Sequence, residues 1–126
     1  GGDWQQASSL LDEMHAAGMI PDVTIYNAVM SACEKGEKWD LGFLLLDEMR
    51  FVGVAPNLST FNAAISACNK SGQWNRAVLL FDKIRIQGIS PDTISFNLAI
   101  SACEKSGQWE LVTSLLDETK SGERNL

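Results

Sequence analysis

The sequence predicts an all-α protein built as a solenoid, in which short two-helix units stack one on the next. Two observations carry that prediction. Four tryptophans, Trp4, Trp39, Trp74 and Trp109, stand 35 residues apart, and three prolines, Pro21, Pro56 and Pro91, keep the same spacing. Between one proline and the next lie two stretches of helical apolar period, divided by a break at glycine. A unit of that size is too small to bury a core alone, so stacking on its neighbours has to supply one.

The period reaches further residue types. Cys33, Cys68 and Cys103 obey it, as do Gly18, Gly53 and Gly88. An aromatic residue recurs at Tyr26, Phe61 and Phe96, followed each time by asparagine at Asn27, Asn62 and Asn97. Lysine recurs at Lys35, Lys70 and Lys105. Chance does not align so many classes on one spacing.

Taken in order, the first helix is expected at residues 3–17, in register with the second helix of each later unit. Units with both helices then start near 23, 58 and 93. In the middle unit, Leu58 to Lys70 carries Phe61, Ile65 and Cys68 at i, i+4 and i+7, one apolar face of a helix. Ser71-Gly72 breaks it. Gln73 to Gln87 follows, apolar on more than one side, as a helix held between neighbours requires. Gly88 suits the left-handed residue that ends a helix, and Pro91 blocks continuation. Asp92 or Thr93 is able to cap the next helix. The expected divisions are a partial repeat at 1–22, repeats at 23–57 and 58–92, and a last one at 93–126, about 3.5 repeats and seven helices. That last one ends in Ser121-Gly122-Glu123-Arg124-Asn125-Leu126, without the Pro-Asp or Pro-Asn junction of the others. Gly1-Gly2 aligns with Gly36-Glu37, which implies a chain that begins in mid-repeat and comes from a longer array.

Composition bounds the function. The 126 residues are 45% hydrophobic and 21% charged, the profile of a folded globular chain. Sixteen acidic against 10 basic side chains, net charge −6, exclude a strongly basic nucleic-acid coat while permitting a locally basic groove. Three cysteines fit a reducing compartment better than a secreted disulfide scaffold. They are too far apart, and the one histidine, His15, too isolated, for a metal site. The longest charge-free run, 51–69, contains Gly53, Pro56, Asn57 and Asn62, so no membrane insertion is expected. No nucleophile–base pair is visible, so no enzyme, catalytic residue or cofactor is expected.

The motifs are V-T-I-Y-N-A-V-M-S-A-C-E-K-G at 23–36, L-L-L-D-E-M at 44–49, G-V-A-P-N at 53–57, T-F-N-A-A-I-S-A-C-N-K-S-G at 60–72, G-I-S-P-D at 88–92 and S-F-N-L-A-I-S-A-C-E-K-S-G at 95–107. Their length and residues resemble the pentatricopeptide repeat family over essentially the whole chain. The related 34-residue tetratricopeptide unit, which binds proteins, differs in both. The resemblance implies a right-handed α-solenoid that binds single-stranded RNA in an organelle, mitochondrion or chloroplast, one nucleotide per repeat. It also implies that bases are read by Asn27 with Asn57 and by Asn62 with Asp92, and that Asn97 reads with a partner beyond this chain. Thr24, Ser59 and Ile94 match the base-sandwiching positions, where an aliphatic residue such as Ile94 serves best. Lys35, Lys70 and Lys105 match positions near phosphates, for a salt slope of roughly −2.

The chemistry of the pairs agrees with the resemblance. Uracil offers an N3–H, which a carboxylate such as Asp92 accepts; cytosine offers a bare N3, which an amide such as Asn57 serves as donor. A C and U preference in adjacent positions follows. Plainer roles stand beside these. The asparagines would equally bond between neighbouring helices, and the lysines would complement helix dipoles. The cysteines read as core, the tryptophans as packing residues of the second helices, and Asp12-Glu13, Asp47-Glu48 and Asp117-Glu118 as a solvated convex face. His15 reads as a surface or helix-end residue. The alternative function is a structural scaffold gripping other protein subunits of a large organellar assembly, which the acidic charge favours.

Overall fold

The computed structural model describes residues 3–124. The turn expected at Gly1-Gly2 lies outside the described residues, as do Asn125 and Leu126. Seven α-helices follow one another among them: α1 (Asp3–Ala16), α2 (Val23–Lys35), α3 (Trp39–Val52), α4 (Leu58–Lys70), α5 (Trp74–Ile86), α6 (Thr93–Lys105) and α7 (Trp109–Arg124). The last runs on through the Ser121-Gly122 stretch.

The helices form an α-solenoid of two layers. In one, α2 packs on α4 and α4 on α6; each of these also packs against the helix that precedes it and the one that follows it. The other layer, α1, α3, α5 and α7, has no comparable backbone approach between its own members. Long side chains bridge it instead. Arg76 lies over the Trp39 ring at 4.6 Å, and Arg85 on α5 pairs with Glu118 on α7. Close packing in one layer and wider spacing in the other curve the stack, with α2, α4 and α6 on its inner side.

The core runs between the layers. Tyr26, Met30 and Cys33 of α2, Phe61, Ile65 and Cys68 of α4, and Ala99 and Cys103 of α6 are buried against Met49 of α3 and Leu80, Phe81 and Ile84 of α5. Phe81 meets Phe96 edge-on, ring centroids 5.0 Å apart, the geometry aromatic quadrupoles favour. All three cysteines are free and buried. Burial pushes the Cys33 and Cys68 thiols up to about 11, so they are inert packing groups.

Two turns show why the chain changes direction where it does. Gly53 ends α3 at φ 82, a left-handed conformation that costs a side-chain-bearing residue most. Gly36, between α2 and α3, meets Trp4 so closely that an added Cβ would lie 2.8 Å from its Cδ1. At the other helix starts, Asp22, Asn57 and Asp92 are the N-caps of α2, α4 and α6. That decides between Asp92 and Thr93: Thr93 is the first helical residue.

Two expectations are corrected. Trp109 is 62% exposed rather than packed, although Trp4, Trp39 and Trp74 are part-buried. The paired carboxylates are not uniformly solvated either. Tyr26 Oη donates to Glu48 Oε2 at 2.8 Å, His15 Nε2 approaches the same oxygen at 3.6 Å, and Glu118 holds Arg85. The tertiary fold brings those partners from other helices, which a repeating acidic pair does not announce.

Candidate functional site

The inner face of α4 presents Ser59, Asn62, Ala63 and Ser66 at i, i+3, i+4 and i+7. Helical geometry puts these in one stripe. With Ser31 and Glu34 of α2, the α6 cap Asp92, and Ile94 and Leu98 of α6, they line a groove of about 400 Å³. A second hollow, about 540 Å³, lies on the opposite side, where Arg50 and Gly53 meet Lys83 and Ile86. It holds no asparagine pair, whereas the inner groove has one at its wall.

That wall is a set of hydrogen bonds linking helices of successive units. Asn62 Nδ2 donates to Asp92 Oδ1 at 3.3 Å. Ser95 Oγ donates to Asn62 Oδ1 at 2.7 Å, while the Ser95 backbone N–H donates to Asp92 Oδ1 at 2.9 Å. One unit earlier the arrangement repeats. Asn27 Nδ2 donates to Asn57 Oδ1 at 3.1 Å, Thr60 Oγ1 donates to Asn27 Oδ1, and the Thr60 N–H donates to Asn57 Oδ1 at 3.1 Å. The residues grouped from sequence as Asn27 with Asn57 and Asn62 with Asp92 are therefore brought together in space. The plainer expectation, asparagines bonded between neighbouring helices, holds at the same time.

The Asp92 carboxylate accepts from the Ser95 backbone N–H and from Asn62 Nδ2. That Ser95 N–H is the largest influence that lowers its pKa below the ordinary value, with the adjacent Ser95 hydroxyl and Asn62 adding to it. Donors stabilise the charged form. Asp92 is thus an anion at the mouth of the groove at neutral pH.

Of the proposed sandwich positions, Ser59 and Ile94 line the groove and Ile94 is 57% exposed. Thr24 is exposed on the inner face one unit earlier. Asn97 is exposed on α6. Lys35 and Lys105 are exposed at the ends of α2 and α6. Lys70 differs, because its Nζ lies 3.5 Å from Glu34 Oε1, an oxygen that also accepts from Ser66 Oγ at 2.8 Å. Part of its charge is spent on that carboxylate. Among the described residues, no group of His, Cys, Asp and Glu is arranged to hold a metal, and no helix is long and apolar enough to cross a membrane.

Sequence reasoning overlooked Thr60 and Ser95, which complete the two clusters, and Leu58 and Leu98, which add apolar wall to the groove. The signal for the hydroxyls was present: Asn57-x-x-Thr60 and Asp92-x-x-Ser95 are cap-plus-three spacings.

Family models for the pentatricopeptide repeat domain match residues 9–71. The chain belongs to the pentatricopeptide repeat family. Two further models, for the PPR repeat family and the PPR repeat, match residues 56–105 and 94–122. No curated protein matches the chain in sequence. Among solved structures, the crystal structure of the pentatricopeptide repeat protein PPR10 from maize is 29% identical, with a TM-score of 0.82 over 95% of this chain and 17% of that one. The same maize protein in complex with an 18-nt psaJ RNA element gives 29% identity and a TM-score of 0.81 over 97% of this chain and 18% of that one. The present chain thus spans under a fifth of the maize protein. Nuclear proteinaceous RNase P 2 from Arabidopsis thaliana shares the fold, TM-score 0.84 at 16% identity, over 91% of this chain and 25% of that one.

Proposed function

We propose that this pentatricopeptide chain is a sequence-selective single-stranded RNA-binding module of an organellar RNA-processing protein, taking one nucleotide per repeat. The observation that carries the reading is the doubled cluster on the inner face, where an asparagine and the next helix cap stand side by side beside an open groove. The maize relative solved with an RNA element supports it.

The hydrogen-bond inventory argues for the base preferences. Asn57 Oδ1 is engaged by the Thr60 N–H and by Asn27. Asn57 Nδ2 and the second Asn27 N–H remain to offer, so the pair presents chiefly donors. Cytosine, with acceptors at N3 and O2, suits it. Asp92 Oδ1 is engaged in the same way, leaving the other carboxylate oxygen as acceptor beside the second Asn62 N–H. An acceptor next to a donor matches uracil, which shows an N3–H flanked by carbonyl oxygens. The base read by Asn62 and Asp92 is gripped between Ser59 and Ile94, and the neighbouring one between Thr24 and Ser59. Lys35, Lys70 and Lys105 meet phosphates. Asn97 is the corresponding reading asparagine of the last repeat.

Titration with a short C/U-rich RNA and an A/G-rich control at low salt, followed by amide NMR shifts, tests the reading. Two reading pairs bind weakly, so millimolar affinities have to be resolved. Shifts clustered at Asn27, Asn57, Asn62 and Asp92, larger for the C/U strand, are expected. A folded chain that shifts with neither RNA rejects it. The second reading, a scaffold for other protein subunits, is favoured by Phe51 and Ile86, 91% and 79% exposed on the outer layer; large apolar groups so placed suit protein contacts.

A further inference from the structure

We infer that Thr60 and Ser95 are positioning residues that lock the reading asparagines of the preceding repeat, and thereby set what those asparagines offer a base. The inference rests on the RNA-binding reading above and extends it to residues that touch no base.

Both side chains are wholly buried, at 0% exposure, so their hydroxyls must find partners. Each completes a capping box by accepting from its cap's backbone N–H, but that bond does not use the hydroxyl proton. In α2 the equivalent position is Ile25, and its N–H still donates to the cap Asp22 at 3.0 Å. That cap bond forms without a hydroxyl, so the proton of Thr60 or Ser95 is free to serve something else. Each accepts from the backbone N–H of its cap, Asn57 or Asp92, at 3.1 and 3.3 Å, which leaves one proton to give. Two acceptors compete for it. The cap oxygen lies at 3.0 Å from Thr60 Oγ1 and 2.9 Å from Ser95 Oγ, but it already takes a backbone N–H and an asparagine N–H. The asparagine oxygen is nearer in both clusters. Two oxygens so close require a proton between them, and an amide oxygen has none, so the hydroxyl supplies it.

The asparagine is then held at both branches: Oδ1 by the hydroxyl, Nδ2 by the cap oxygen. Turning the amide over would set its oxygen against the cap oxygen. With the amide fixed in this orientation and one lone pair of Oδ1 taken, the asparagine shows a base chiefly its remaining N–H. Without the hydroxyl, Oδ1 becomes a free acceptor and the side chain is released to swing. A bare acceptor welcomes the N–H of the wrong base, so discrimination suffers more than affinity.

Thr60→Val keeps the shape and removes the hydroxyl, its proton together with its acceptor for the Asn57 N–H, and Thr60→Ser restores both. Two measurements on the 126-residue chain, with folding checked by circular dichroism, decide the matter. In the free protein, hydrogen exchange of the Asn27 side-chain amide should be several-fold faster in Thr60→Val, return in Thr60→Ser, and leave Asn62 unaffected. With RNA, the C-over-U preference at the Asn27 position should fall about fivefold in Thr60→Val while affinity for a mixed strand stays within about twofold, and return in Thr60→Ser. Ser95→Ala should do the same to Asn62 alone, which covers a failure of Thr60→Val to fold. Unchanged exchange at Asn27, or unchanged discrimination, overturns the inference. Wild-type protein that binds RNA without preferring C or U rejects the base-reading function instead, and the exchange measurement then separates that failure from failure of the lock.

Discussion

Asn62 and Asp92 stand 30 residues apart in sequence and are joined by a hydrogen bond of 3.3 Å across the step from one repeat to the next. Asn27 and Asn57 form the same link one unit earlier, at 3.1 Å. The two clusters differ chiefly in the cap, a carboxylate in one and an amide in the other. The molecule thus contains its own comparison of the two chemistries.

Asp92→Asn converts the second cluster into a copy of the first. The expected result is a shift of base preference at that position from U toward C, by about tenfold or more in relative affinity. Asparagine caps helices as well as aspartate, so thermal stability at pH 7 should change by less than about 0.5 kcal/mol. Competition binding with strands differing at one base reads the outcome, and an unchanged preference removes Asp92 from base reading.

The same residue predicts an acid response. Its folded pKa lies below the ordinary value, first because of the Ser95 N–H. Such a group contributes stability that is fully present above the unfolded pKa and is lost as pH falls through the folded one. Asp92 should therefore contribute nothing to pH dependence between pH 8 and about pH 5, and should add to the loss of stability below about pH 4. Thermal midpoints of wild type and Asp92→Asn, close to each other at pH 7, should diverge in acid, the wild type falling below the variant. Parallel curves contradict the assignment.

Glu34, which lines the groove, holds Lys70 at 3.5 Å. Glu34→Gln should free the lysine and remove a carboxylate that repels phosphate. RNA affinity at low salt should rise a few-fold, and the salt slope should steepen by up to about 0.7, as a lysine partly neutralised by Glu34 becomes a full phosphate contact on a single strand. Fluorescence titrations at several salt concentrations measure it. No change in slope means that Lys70 meets no phosphate.

Phe81 is buried at 1% and packs edge-on against Phe96. Phe81→Ala should cost about 3–5 kcal/mol, through lost burial and the cavity left behind. In a stacked array that cost falls first on neighbouring units. Hydrogen exchange should rise in α4, α5 and α6 before it rises in α1.

Much of this protein was legible in one dimension. A spacing that repeats in Trp, Pro, Cys, Gly and Asn dictates a stack of two-helix units, because only stacking buries the stripe formed by Phe61, Ile65 and Cys68. Helix ends were legible too, since Gly53 and the cap Asp92 act within a few residues of themselves. The partners of long side chains were not. Glu48 under Tyr26, Glu118 with Arg85, and Glu34 between Ser66 and Lys70 each depend on how one helix is rotated against another, and no local pattern encodes that angle. The proton of Thr60 is the sharpest case. Alone it marks a helix start; only with α2 laid against α4 does its single donor find Asn27. Sequence by itself determined the repeat and the residues that face inward. Tertiary packing decided which atoms of those residues are already engaged, and so which remain to be offered to a ligand, because hydrogen bonds are satisfied between neighbours in space.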